Sequence, residues 1–234
     1  MGNAGFCDNI DKLIDLDNNV KSLEIHIAYT ISWKDSEKLF ERYPFEDEIR
    51  NLINYVKSRY TLDMLRDDRV VRAYRDFFWK LGIDPTKTRP ASEALVRRAL
   101  RDQFPCINPV VDAGNIASAY TMVPIGMYDL DRVSLPLTIK FSQGGEKFKP
   151  IGGGEEVLEK DIPILVDSKG TVMHIYPHRD SMETCVTENT TKIVTIAAGV
   201  PGVEREVVMR AASIVVELLQ KIGWSSCNLI IYKD

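Results

Sequence analysis

The stretch RPASEALVRRALRDQFPCINPVVDAGN, residues 89–115, decides the fold because it holds two helix starts with a proline-bounded break between them. Pro90 suits the first turn of a helix, where its missing N–H costs nothing. Pro105 and Pro109 interrupt the helical pattern. A second, shorter helix is therefore predicted over residues 110–120.

The sequence before this stretch predicts a strand followed by helices. Residues 1–21 are polar and acidic and form a lead-in. Apolar and polar side chains alternate over residues 22–32, which predicts a half-buried strand. Helical spacing of apolar residues then predicts a helical region over residues 36–83, ended by Gly82.

The sequence after residue 134 is rich in β-branched residues and punctuated by glycines. It predicts a mostly antiparallel β region, with strands near residues 137–141, 162–166, 172–176 and 192–197. Residues 203–222 have the pattern of an amphipathic helix ending at Gly223, and residues 229–232 form a closing strand. Because helices and strands occur in blocks, we expect an α+β fold (mixed α/β). The strand and helices of residues 1–84 are expected to form an N-terminal extension packed on a main domain, residues 85–234.

The bulk composition favours a folded protein with a core of its own. The chain has 234 residues, 44% hydrophobic and 27% charged, with a formal net charge of −4. A protein that grips nucleic acid over a wide face usually has a basic excess. Broad nucleic-acid binding, including DNA binding, is therefore not expected, whereas a local patch for an RNA end stays open.

The cysteines and the N-terminus predict a cytoplasmic location. Cys7, Cys106, Cys185 and Cys227 show no metal-ligand or redox spacing, so reduced thiols are expected. The N-terminus lacks a long apolar run, and no span of about 20 apolar residues occurs, so neither a signal peptide nor a membrane partner is expected. No cofactor is expected.

Four segments, in order, resemble the B3/B4 domain of the phenylalanyl-tRNA synthetase beta subunit. Residues 107–115, INPVVDAGN, resemble its Val-Asp-x-x-Asn segment, and residues 124–129, PIGMYD, resemble its Pro-x-His-x-Phe-Asp box. Residues 161–167, DIPILVD, resemble a strand with an Ile-x-Asp step, and residues 184–198 resemble the strand before the last helix. The resemblance covers residues 85–225 and implies a B3/B4-like fold and a role with aminoacylated tRNA.

Three departures from the family pattern imply a remodelled amino-acid pocket. The family's histidine falls on Gly126 and its threonine between Asp and Asn on Gly114. The glutamate that reads the substrate hydroxyl falls on Ala197, or one residue to either side. Discrimination of a hydroxyl group depends on a positioned partner, so the preferred amino acid is expected to change.

The segment of residues 174–184 supplies the first set of candidate site residues. His178 would orient a water or take a proton, with Asp180 and Ser181 completing the catalytic group. Arg179 would contact a phosphate or carboxylate, Asp180 an α-amino group, and Thr184 the substrate. The alternative is a polar loop in which Asp180 caps a turn. His174 and His178 lie in a strand and loop rather than a helix, so no metal site is expected.

A second set follows from the Val-Asp-x-x-Asn resemblance. It implies that Asp112, Asn115 and Tyr120 line the pocket; alternatively, the first two cap a helix. Contacts with tRNA phosphates are expected from four arginines, unless these form a solvated face: Arg89, Arg97, Arg98 and Arg101.

Three functional hypotheses follow. The first is a trans-acting hydrolase of mischarged aminoacyl-tRNA, an ester hydrolase rather than a complete tRNA ligase, with the tRNA 3′ end as its partner. The second is a non-catalytic module that binds RNA or an aminoacyl ligand. The third is an interaction protein that meets its partner through residues 1–84.

Overall fold

The computed structural model of the chain describes residues 5, 7–36, 38 and 40–234. The α-helices in this part are α1 (Glu46–Arg59), α2 (Arg69–Lys80), α3 (Ala91–Ala99), α4 (Pro109–Thr121) and α5 (Arg205–Lys221). The strands are β1 (Ile14–Leu16), β2 (His26–Lys34), β3 (Ile125–Asp129), β4 (Leu137–Gln143), β5 (Lys147–Phe148), β6 (Glu156–Val157), β7 (Lys160–Val166), β8 (Val172–Ile175), β9 (Arg179–Asp180), β10 (Lys192–Gly199), β11 (Trp224–Ser226) and β12 (Ile231–Lys233).

The strands form two five-stranded sheets and a short hairpin. Sheet I has the order β1-β4-β7-β8-β9. Sheet II has the order β11-β2-β10-β3, and β12 also pairs with β2. The hairpin joins β5 and β6. All these pairings are antiparallel apart from β1 with β4, so the predicted α+β fold with a mostly antiparallel β region is confirmed.

Sheet II is covered on both faces. Helix α5 packs on β2 and β10, and α4 packs on α5 and β3. On the other face, apolar residues of sheet I, such as Leu165 and Met173, share one core with Ile27 and Tyr29 of β2. The prediction of a half-buried strand is therefore wrong, because β2 lies in the middle of the layered structure and residues 26–32 are all buried.

The helical region predicted before residue 84 consists of α1 and α2. Asp68 caps α2, since its carboxylate accepts hydrogen bonds from the N–H groups of Val70 and Val71 at 2.9 and 3.1 Å. Of the predicted extension, residues 1–4, 6, 37 and 39 lie outside the described part. The rest places β2 inside sheet II and β1 at the edge of sheet I; a domain division at residue 84 stays a prediction.

Two cysteines are joined. Cys7 and Cys227, 220 positions apart in sequence, form a disulfide, whereas Cys106 and Cys185 are free. The expectation that all thiols are reduced is therefore wrong for one pair, because the fold brings the two ends of the chain together. None of the described helices is both long enough and apolar enough to cross a membrane.

Candidate functional site

A cavity of about 250 Å³ lies between α4, β3 and the segment of residues 180–186. Its walls are mainly apolar, with two amides, one carboxylate and one thiol. The lining residues are Ile107, Asn108, Val111, Gly114, Asn115, Ile125, Met127, Ile151, Asp180, Cys185 and Val186. The two segments predicted to wall one cavity, near Val111 and near Arg179, thus meet here through Val111 and Asp180, whereas Arg179 itself lines another cavity.

The start of α4 shapes one wall of this cavity. Asn108 caps the helix by accepting a hydrogen bond from the Val111 N–H at 3.0 Å, and Pro109 occupies the first turn. A Cβ on Gly114 would lie 2.6 Å from the sulfur of Met127. The glycine that replaces the family's threonine therefore lets the Met127 side chain of β3 lie against the helix.

Asp112 anchors the wall rather than lining it. Its fully buried carboxylate accepts hydrogen bonds from the Ile107 N–H at 3.0 and 3.1 Å and from the Tyr43 hydroxyl. The Asn115 side-chain N–H donates to the same carboxylate at 3.4 Å. Burial, followed by the hydrogen bond to Asp112, raises the pKa of Tyr43, so its phenol stays a donor. Asp112 thereby holds the loop before α4 and leaves Asn115 at the cavity.

Tyr120, predicted to share this pocket, lies elsewhere. Its ring packs 5.1 Å from that of Tyr55, and it lines a different cavity, next to Glu48 and Arg210. The reason is the helical period: Tyr120 follows Asn115 by five positions, which places it on another side of α4.

Asp180 is held at the cavity by two buried side chains. Its Oδ1 accepts a hydrogen bond from the Tyr128 hydroxyl at 2.8 Å, and His174 Nδ1 lies 2.8 Å from the same oxygen. Burial raises the pKa of Tyr128 well above its ordinary value, so the phenol remains protonated. The Asp180 side chain is nevertheless 35% exposed.

His178 belongs to a second cavity, of about 670 Å³, on the other side of this segment. Its ring lies 5.2 Å from that of Phe78, and Lys80 lines the same space. Burial, with a smaller contribution from the charge of His174, lowers the pKa of His178 to about 3. His178 and Asp180 therefore line different cavities, although they are only two positions apart in the sequence.

Ser181 and Thr184 are fully buried and fasten the segment to its neighbours. The Ser181 N–H donates to the Met173 carbonyl at 2.9 Å, and the Thr184 carbonyl accepts from the Asp129 N–H at 2.9 Å. Neither lines the cavity that Asp180 lines.

Arg179 also points away from that cavity. Its guanidinium forms an ion pair with Glu156 at 2.8 Å and lies 5.3 Å from the centre of the Phe148 ring. It lines the larger cavity together with His178.

Tyr128 is a site residue that the sequence interpretation missed. Its phenol lies across Gly126, since a Cβ there would be 2.7 Å from the ring carbon Cζ and closer still to the hydroxyl. A glycine inside a strand often marks such a close approach, and this signal was available in the sequence. The position of the family's histidine is therefore occupied by the Tyr128 phenol.

The pairing register between β10 and β3 shows which residue near Ala197, the position assigned to the family's glutamate, shares a face with Gly126. Ile196, not Ala197, lies opposite Gly126, and Ala197 lies opposite Ile125. Side chains of directly opposed residues share one face of a sheet. Ile196, one position before Ala197, therefore shares the face of Gly126.

The four arginines differ in their surroundings. Arg97 donates to the fully buried Glu93 at 2.7 Å, beside Arg75, which contacts the same carboxylate at 2.6 and 2.8 Å. The other three are exposed: Arg89, Arg98 and Arg101. Over the described residues, no three His, Cys, Asp or Glu side chains are grouped as metal ligands.

Comparison with known proteins gives consistent results. The B3/4 domain family matches residues 73–223. The phenylalanine–tRNA ligase beta subunit of Methanococcus maripaludis is 23% identical over 222 residues, covering 77% of this chain and 39% of the relative. The subunit of the same name from Pyrococcus horikoshii is 30% identical over 133 residues, covering 48% of this chain and 24% of the relative. The chain thus spans less than half the length of these relatives.

A solved structure was also matched. It is an N-terminal fragment of the phenylalanyl-tRNA synthetase beta subunit from Pyrococcus horikoshii, 18% identical, with a TM-score of 0.49; the match covers 94% of this chain and 54% of that chain. The family match alone spans more than half of the sequence. The chain belongs to the B3/4 domain family and is related to the beta subunit of phenylalanine–tRNA ligase.

Proposed function

We propose that this chain acts on aminoacyl-tRNA in trans and hydrolyses tRNA that carries the wrong amino acid. One observation carries the proposal: the helix start that resembles the family's Val-Asp-x-x-Asn segment and the segment around Asp180 wall a single cavity. The relation to subunits of a tRNA ligase supports a tRNA-related role. In this proposal the aminoacyl end of the tRNA enters the cavity.

The size of the cavity suits a compact amino-acid side chain. Its volume of about 250 Å³ lies just below the ~300 Å³ at which ordinary ligand pockets begin. Val111, Ile125 and Met127 supply apolar walls, and Asn115 supplies an amide. A small number of polar groups in an apolar space is the usual composition of a ligand site.

The chemistry demanded of such a site is modest. The ester between amino acid and ribose is already activated, so the protein needs to hold it, place a water and stabilise the developing oxyanion. The amide N–H groups of Asn108 and Asn115 are the donors that the cavity offers for this. His178 is assigned no part in it, since it lines the other cavity.

The second candidate is a module that binds the aminoacyl end without hydrolysis. It is favoured by one observation: the described lining of the cavity includes no histidine, and the strand position of the family's histidine is covered by Tyr128. The exposed arginines would contact tRNA phosphates in either case: Arg89, Arg98 and Arg101.

The test uses the whole chain and a panel of correctly charged and mischarged tRNAs. We expect release of at least one mischarged amino acid above the buffer rate, loss of that release in Asn115→Ala, and retention in Asn189→Ala, an exposed asparagine outside the cavity. Thermal stabilisation by a charged tRNA without release would support the binding module. Neither release nor binding for any member of the panel would refute both candidates.

A further inference from the structure

The cavity between α4 and β3 carries a single formal charge. Asp180 is the one ionisable carboxylate among its described lining residues, and none of them is a lysine, arginine or histidine. The remaining polar lining consists of the Asn108 and Asn115 amides and the Cys185 thiol. A partly desolvated carboxylate in such surroundings is best matched by one positive charge on the ligand.

The carboxylate is positioned for such a ligand. Tyr128 and His174 both bind the same oxygen, Oδ1, at 2.8 Å. Within the described part of the chain, the other oxygen, Oδ2, receives no hydrogen bond, while the Asp180 side chain is 35% exposed. One oxygen is therefore held by the fold, and the other is free to accept a hydrogen bond from a ligand.

Among the described residues, no lysine or arginine forms an ion pair with Asp180, whose Oδ1 is already bound by His174. Arg179, adjacent in sequence, is turned to the opposite side of the short strand β9, where it pairs with Glu156 and lies over the Phe148 ring. Successive side chains of a strand point to opposite faces. The same alternation therefore keeps this guanidinium out of the cavity.

We propose that this site selects ligands with a free primary ammonium group, and that Asp180 is the residue that recognises it. This inference rests on the proposed function and names its substrate class: aminoacyl esters whose α-amine is unmodified. N-acylation removes the positive charge of the amine. It also adds an acyl group that would have to fit into a cavity of about 250 Å³. Peptidyl and other N-blocked tRNAs are therefore excluded.

The experiment compares each charged tRNA with its N-acetylated form. Phenylalanyl-, tyrosyl- and alanyl-tRNA are prepared with a free amine, half of each is N-acetylated chemically, and affinity for the full chain is measured by filter binding. For the tRNA that binds best, we expect acetylation to weaken binding about tenfold or more, because a charge-assisted hydrogen bond is lost. This comparison uses the unaltered protein and does not depend on how a variant folds.

Two variants then locate the effect. Asp180→Asn should weaken binding of the free-amine form about tenfold and bring the ratio between the two forms close to one, whereas Glu183→Gln, an exposed carboxylate outside the cavity, should keep the wild-type ratio. Equal binding of free and acetylated forms by the wild-type chain would overturn this inference and leave the proposed function standing. Binding of neither form would overturn both.

Discussion

Replacing Gly126 with alanine should displace the Tyr128 phenol from Asp180. The added Cβ would lie 2.7 Å from Cζ and 2.9 Å from Cε2 of Tyr128, whose side chain is 1% exposed and cannot move into solvent. Overpacking of this kind costs about 1–3 kcal/mol. Loss of the 2.8 Å hydrogen bond to the Asp180 carboxylate adds roughly 1.5–3 kcal/mol. Because the ring can shift partway, we expect the free energy of unfolding to fall by about 2–5 kcal/mol.

Urea unfolding followed by tryptophan fluorescence measures this change. The matched control is Gly154→Ala, where nothing lies within 4 Å of the added Cβ; its effect should stay within about 0.5 kcal/mol. In a Tyr128→Phe background the hydrogen bond is already absent, so Gly126→Ala should cost less than it does in the wild type. A cost below about 0.5 kcal/mol in the wild type would refute the close approach of Tyr128 to Gly126. Strict additivity of the two changes would refute the displacement of the Tyr128 hydroxyl from Asp180.

Three further results are expected in unfolding experiments. Glu93→Gln should lower stability by about 3–5 kcal/mol, because it leaves two guanidinium groups around a fully buried site; Glu217→Gln, in an exposed ion pair, should cost less than about 0.5 kcal/mol. Burial lowers the pKa of His178 from 6.5 to about 3. As the pH decreases, the unfolded chain therefore binds a proton at this histidine at a higher pH than the folded protein does. Stability should therefore fall as pH decreases from about 6.5 toward about 3, and His178→Gln should flatten that slope. Reduction of the Cys7–Cys227 bridge should cost about 2–5 kcal/mol, and non-reducing peptide mapping should recover the linked peptide.

Elements with a strong apolar period were predictable from the sequence. The helix predicted over residues 110–120 is α4 (Pro109–Thr121), and the long C-terminal pattern is α5 (Arg205–Lys221). Both carry local signals, a cap with proline in the first turn for one and a terminal glycine for the other. Such signals act within a few residues, so one sequence suffices to find them.

Features that depend on which elements meet were not predictable in the same way. The alternation in β2 looks half-buried, yet both faces are covered, because burial depends on layers contributed by distant parts of the chain. The Cys7–Cys227 bridge joins residues 220 positions apart and leaves no spacing pattern. His178 is separated from Asp180 because it lies in the turn of residues 176–178, before the two-residue strand β9, and so short a strand cannot be recognised from composition.

Within β3, two positions differ from the family box Pro-x-His-x-Phe-Asp, namely Gly126 and Tyr128. With histidine at position 126 and phenylalanine at 128, as in the family box, the polar group would arise from the first of these positions. Here Gly126 has no side chain, and the hydroxyl of Tyr128 reaches back over it to Asp180. The phenol has room only because residue 126 is a glycine, and the glycine supplies no polar group of its own. The Asp180 carboxylate is therefore held by a buried phenol whose pKa is raised by burial. Asp180 thus links the core, through Tyr128, to the cavity that it lines.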